Sequence, residues 1–215
     1  MIGGTEYSYD FILKKGQLYI VRLARKIISS ESPFGTATGY LLEPSFPDEI
    51  DEQGFRLTLQ KYAEVLGLER AFCMLDFKMD QGRTVLLELA PRPGGDCLPF
   101  LLRLGLNLDI LKLFLDFSCN RPLQLDKPCA GRPFLGLRVH ARKGGILRKI
   151  DVEQLKRDPR VQEIHLIHSP GHTIRMPPED YISWLLGHII FEPDPGTDAA
   201  IQCNSLLERL VVEVE

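Results

Sequence analysis

The stretch AFCMLDFKMDQGRTVLLELAPRPGGD, residues 71–96, carries the reading of the whole chain. Two runs rich in apolar and β-favouring residues flank Asp80-Gln81-Gly82-Arg83, a pattern that predicts a β-hairpin. A three-residue loop, 81–83, sets Leu75, Phe77 and Met79 opposite Leu89, Leu87 and Val85, giving one apolar face. The other face then places Asp76 directly across from Glu88. A two-residue loop shifts the pairing by one and mixes charge into the apolar face, which a buried sheet resists.

Two carboxylates facing each other across a hairpin have Cβ atoms about 5 Å apart and repel. A shared proton, a basic neighbour or a divalent cation must offset that repulsion. After Glu88 the chain turns through Pro91-Arg92-Pro93-Gly94-Gly95-Asp96. The glycines permit close backbone approach and positive φ, and Arg92 offers a planar fork for carboxylate or phosphate. Gly94 and Gly95 either turn the chain or form a backbone nest for an anion. An acidic pair, an arginine, a glycine turn and a helix are the parts of a magnesium-phosphate site.

The segment LELAPRPGGD (87–96) resembles the signature of the ATP-grasp superfamily, nearest its carboxylate–amine and L-amino-acid ligase branch. The resemblance implies that Asp76 and Glu88 hold Mg2+, with Mn2+ as an alternative, against ATP phosphates. It implies that Arg92 steadies an acyl-phosphate intermediate and that Gly94 and Gly95 contact the cofactor. One departure stands out: many members carry Asn two residues after the Glu, and this chain has Ala90. Weaker magnesium binding, or loss of one ion, follows from that exchange.

Residues 5–14 and 17–27 read as a second hairpin around Lys15-Gly16. GGTEYSYDFILKKGQLYIVRLARK (3–26) resembles the segment after the adenine hinge of the same family, with Glu6 and Asp10 at its acidic positions. By that resemblance Glu6 and Lys26 join the cofactor site. Arg22, Arg25 and Lys26 carry two readings, solvated strand charge or contact with phosphate or a substrate carboxylate. The resemblance also implies that this chain holds only the C-terminal portion, so the isolated chain is expected to be inactive. Its missing N-terminal half would act in cis or in trans.

Residues 29–47 read as a loop, and 48–66 as a core-facing helix with Phe55, Leu59, Tyr62, Ala63 and Leu66 at helical spacing. Residues 97–117, broken at 105–107, read as two helices packed on the sheet. The Pro- and Gly-rich stretch 119–133 makes the best boundary. Beyond it, strands are expected at 134–141, 145–150, 161–168, 186–191 and 210–214, and helices at 151–157 and 194–207. The expected fold class is α+β. Residues 1–130 form the C-terminal half of an ATP-grasp domain, an antiparallel sheet with packed helices. A small α+β domain, 131–215, follows and resembles the C-terminal domain of the same branch.

The chain has 215 residues, with 26 basic and 29 acidic side chains and a net charge of −3. That balance gives no general pull toward nucleic acid or anionic membranes. Five cysteines without metal spacing suit reduced thiols in a cytoplasm. No apolar run approaches the roughly 20 residues that span a bilayer. The five histidines fall in the C-terminal part, and His165 and His168 are expected on opposite faces of one strand. The expected partners are a small-molecule carboxylate, an amine and a second copy of the chain in a homodimer. The rival expectation is a non-catalytic binding or assembly module derived from the same fold.

Overall fold

The computed structural model describes residues 3–29, 36–123 and 132–215. The chain forms two compact units. The first comprises Met1–Lys26 and Leu42–Pro133, and the second comprises Ile27–Leu41 and Phe134–Glu215. The second unit thus includes Ile27–Leu41, far upstream of the stretch around residue 130 that sequence composition marks as a boundary. Residues 124–131 of that stretch lie outside the described residues.

In the first unit, β1 (Thr5–Lys14), β2 (Gln17–Ile28, through Lys26), β4 (Arg70–Asp80) and β5 (Arg83–Ala90) are ordered β5-β4-β1-β2. All three pairings are antiparallel. The period-2 alternation of β1 sends Tyr7, Tyr9, Phe11 and Leu13 to one side. There they pack with Leu75, Phe77 and Met79 of β4 under α1 (Glu52–Val65). The helix buries Phe55, Leu59 and Ala63 but leaves Tyr62 and Leu66 exposed, so its apolar stripe is narrower than the spacing suggests. It ends where Gly67, at φ 65°, lets Gly67 N and Leu68 N bond Glu64 O and Ala63 O.

The opposite side divides along the strands. Ile12, Val21 and Phe72 are covered by α2 (Leu98–Leu106) and α3 (Ile110–Ser118), which contribute Leu102, Ile110, Leu113 and Phe117. The break between those helices falls at Asn107, left-handed at φ 51°, and Asp109 caps α3 by accepting from Lys112 N at 2.9 Å. Toward the other end of β1, the same side carries Glu6, Ser8 and Asp10.

The second unit holds β3 (Ala37–Glu43, through Leu41), β6 (Leu135–His140), β10 (Leu185–Phe191) and β8 (Val161–Leu166), ordered β3-β6-β10-β8. A smaller sheet orders β11 (Val211–Val214), β7 (Gly145–Asp151) and β9 (Thr173–Ile174). The core between them includes Leu137, Leu147, Trp184, Phe191 and Leu206, the last from α4 (Ala199–Leu207).

Four expectations are corrected here. The predicted loop 29–47 contains β3, whose Gly39 pairs with Leu137 so closely that an added Cβ would sit 2.9 Å from the Gly136 carbonyl oxygen. Residues 30–35 of that loop lie outside the described residues. The helix expected at 151–157 shrinks to one 3-10 turn, Leu155–Arg157, while α4 starts only at Ala199, where Asp198 caps it after Pro193 and Pro195. His168 lies beyond the end of β8, its ring stacked on that of His172 with centroids 3.5 Å apart. No described helix is long and apolar enough to cross a membrane.

Candidate functional site

The β4–β5 hairpin turns through two residues, not three. Gln81 and Gly82 both adopt positive φ, 50° and 76°, and Asp80 pairs with Arg83. Near the turn, Phe77 therefore faces Leu86 and Met79 faces Thr84. A β-bulge between Asp76 and Phe77 then admits Leu87 as an extra residue on β5. Beyond it, Asp76 pairs with Glu88 and Leu75 with Leu89, as expected. The bulge also redistributes burial: Leu86 packs into the core, while Leu87 and Leu89 are exposed.

The ladder arranges the polar side of the sheet in rows. One row sets Ala24, Ser8, Asp76 and Glu88 across β2, β1, β4 and β5. On one flank Glu6 pairs with Lys78; on the other, Asp10 lies between Arg22 and Met74, which in turn faces Ala90. Four carboxylates (Glu6, Asp10, Asp76, Glu88) thus share this side with Arg22, Lys26 and Lys78.

Each charge has a particular arrangement. Lys26 Nζ donates to Glu6 Oε1 at 2.7 Å and to Asp76 Oδ2 at 2.5 Å, with Lys26 only 10% exposed. Lys78 Nζ lies 3.6 Å from Glu6 Oε2, so Lys26 and not Lys78 answers Asp76. Asp76 Oδ1 is buried and accepts no hydrogen bond, which leaves half of that carboxylate's capacity unused. Glu88 stands exposed at the rim.

Arg22 and Asp10 are fully buried and paired, Arg22 Nε to Asp10 Oδ2 at 2.7 Å. Arg22 also donates to Ser8 O at 2.8 Å and to Ser8 Oγ at 3.1 Å. Burial pushes the Asp10 carboxyl up, against the pull of the Arg22 guanidinium and of an N–H bond from Gly94. Gly94 N donates to Asp10 Oδ1 at 3.0 Å, and a Cβ on Gly94 would lie 2.2 Å from Arg22 Nη2. The close approach that needs this glycine is to the buried ion pair, and its N–H is committed to Asp10. Gly95 has open space, its nearest neighbour for a Cβ being Arg92 Nη1 at 4.0 Å. The positive φ expected of the glycines falls instead on Asp96, at 62°. Arg92 is exposed and donates to Pro93 O at 3.1 Å within its own turn.

The structure brings Glu6, Lys26, Asp76 and Glu88 onto one side of the sheet. Gly94 is tied to that side through Asp10, whereas Arg92 and Gly95 belong to the turn above. Sequence reading noted Arg22 and Asp10 but did not place them as a pair. Their signal was parity: Glu6, Ser8 and Asp10 alternate along one strand, as do Arg22 and Lys26 along the next.

Neither a protein-family model nor a curated protein matches the sequence. Solved structures do. An L-amino acid ligase from Bacillus licheniformis superposes with a TM-score of 0.81 at 16% identity, covering 100% of this chain and 55% of its own. A phosphoribosylglycinamide synthetase from Anaerococcus prevotii gives 0.75 at 17% identity, covering 100% and 55%. The biotin carboxylase domain of the Hydrogenobacter thermophilus 2-oxoglutarate carboxylase, solved with MgADP and bicarbonate, gives 0.66 at 13% identity, covering 98% and 46%. This is a partial ATP-grasp fold. The chain spans about half the length of those ATP-grasp ligases.

An all-oxygen carboxylate pair suits a hard cation such as Mg2+. No cluster of three or more His, Cys, Asp or Glu poised for a metal occurs among the described residues. Two carboxylates still fit Mg2+, which keeps most of its waters and takes phosphate oxygens when a nucleotide is present. Asp76 Oδ1 is buried without a hydrogen bond, so a cation would come to this carboxylate from its Oδ2 side.

Proposed function

We propose that the chain is part of an ATP- and Mg2+-dependent ligase that activates a small-molecule carboxylate as an acyl phosphate and joins it to an amine. The observation that carries this reading is Asp76 set directly across from Glu88 on adjacent strands, on a fold that ATP-grasp ligases share. A bound Mg2+ would neutralise charge on the phosphoryl group in transfer. Asp76 and Glu88 would hold it from adjacent strands. The buried Arg22–Asp10 pair would fix the turn after β5 by way of Gly94, and Arg92, with its guanidinium at the surface, would meet the anionic intermediate. The rest of the nucleotide cleft would come from a further ATP-grasp portion, and this chain alone would not turn over.

Calorimetric titration of the chain with MgCl2, with and without ADP, tests the reading. Mg2+-dependent heat that falls at least tenfold in apparent affinity in Glu88→Gln and in Asp76→Asn is the expected result. Binding that is unchanged in both variants removes the carboxylate pair from the site. No binding to the chain under any condition favours a non-catalytic module, which Ala90 in the place of a further oxygen ligand already suits.

A further inference from the structure

Lys26 occupies the approach to Asp76. Of the two Asp76 oxygens, Oδ1 is buried and inaccessible, and Oδ2 is held by the Lys26 ammonium at 2.5 Å. A hydrated cation can therefore reach this carboxylate only if Oδ2 is vacated or the carboxylate rotates, and either movement breaks the Lys26 contact. A metal ligated at about 2.0–2.1 Å would also place a dication in the volume that the ammonium holds. Two cations confined there would repel strongly in a partly buried setting.

Lys26 has somewhere to go. Its second partner, Glu6 Oε1 at 2.7 Å, lies on the neighbouring strand, and a four-carbon stem can swing while keeping that bond. We propose that Lys26 is a displaceable counter-ion: it neutralises Asp76 by itself and retreats onto Glu6 when a divalent cation takes the carboxylate. The proposal rests on the metal reading above and adds to it a built-in competitor. Lys26 thereby sets the metal affinity of the site and makes cation binding and release of a lysine one event.

Two measurements on the chain test this, with MgCl2 alone as the probe. The first is lysine footprinting with acetic anhydride, mapped by mass spectrometry. Saturating Mg2+ is expected to raise Lys26 reactivity at least about twofold, the step for loss of one of two ion-pair partners, while Lys143 and Lys156 stay constant. The second is calorimetry on Lys26→Met, with circular dichroism to verify the fold. Removing the competitor is expected to tighten Mg2+ roughly three- to tenfold. Mg2+ binding to the wild type with unchanged Lys26 reactivity overturns the proposal and leaves the metal site standing, as does weaker binding by a folded Lys26→Met. Heat seen only in Lys26→Met supports strong competition. No heat in either protein overturns both the proposal and the metal reading. If Lys26→Met does not fold, the wild-type footprint decides.

Discussion

Tyr9 carries its ring into the aromatic cluster of Phe46 and Phe55 and its hydroxyl into a place with no partner. An unsatisfied buried hydroxyl costs about 1–3 kcal/mol, and burial also pushes this phenol above its ordinary pKa. Tyr9→Phe keeps the packing and deletes the cost. Thermal denaturation should show the variant as stable as the parent or more so, by up to about 2 kcal/mol. The paired glycines give the opposite contrast. Gly94→Ala drives a methyl against Arg22 Nη2 and Leu98 Cδ1, at 2.2 and 2.8 Å, and should cost about 1–3 kcal/mol. Gly95→Ala meets nothing closer than 4.0 Å and should stay within about 0.5 kcal/mol of the parent. Equal losses in urea titrations of the two would contradict the asymmetry. Nothing in the sequence separates these neighbours, because what distinguishes them is the guanidinium of Arg22, on a strand 72 positions upstream of Gly94.

At the scale of elements, the β4–β5 hairpin shows what patterning can and cannot deliver. The facing of Asp76 and Glu88 was legible, since one apolar and one charged face leave few registers open. The route to it was not. The apolar alternation Leu75, Phe77, Met79 against Val85, Leu87, Leu89 asked for a three-residue loop. The chain satisfies it with a two-residue turn and a bulge at Leu87, an outcome that alternation alone cannot distinguish. β3 was lost for a related reason: Thr36, Thr38 and Tyr40 alternate as a strand does, but Gly35 and Gly39 read as punctuation. The turn itself suggests a test. Both central residues have positive φ, a conformation that Asn adopts more readily than Gln. Gln81→Asn should raise stability by several tenths of a kcal/mol in chemical denaturation without changing the site. A loss would mean that the Gln81 side chain does more than turn the chain.

For the molecule as a whole, acid stability draws on a buried group in the second unit, which does not carry the candidate site. Asp158, with a side chain 5% exposed, takes hydrogen bonds from Arg160 and Arg209, and the bonds from Arg160 hold its carboxyl well below the usual range. A depressed folded-state pKa stabilises the fold in full above the unfolded value, about 3.9, and that contribution fades as pH falls below it. Wild type should exceed Asp158→Asn by about 1–3 kcal/mol at pH 7. The gap should close as pH falls from about 4 toward 2. A gap independent of pH would remove the ion pair as its cause. No composition signal marked Asp158, one acid among many; its partner Arg209 comes from 51 positions downstream and meets it only in the fold.

The grouping of Ile27–Leu41 with Phe134–Glu215 has a consequence for the order in which the chain can be made. Leu41 of β3 pairs with Leu135 of β6, so the ribosome releases the first partner long before the second exists. At roughly 5–20 residues per second the delay is on the order of 5–20 s. Throughout it, one flank of β3 displays unpaired N–H and C=O groups, an invitation to any extended segment nearby. A nascent polypeptide stalled before residue 135 therefore holds β3 without the strand it pairs with in the fold.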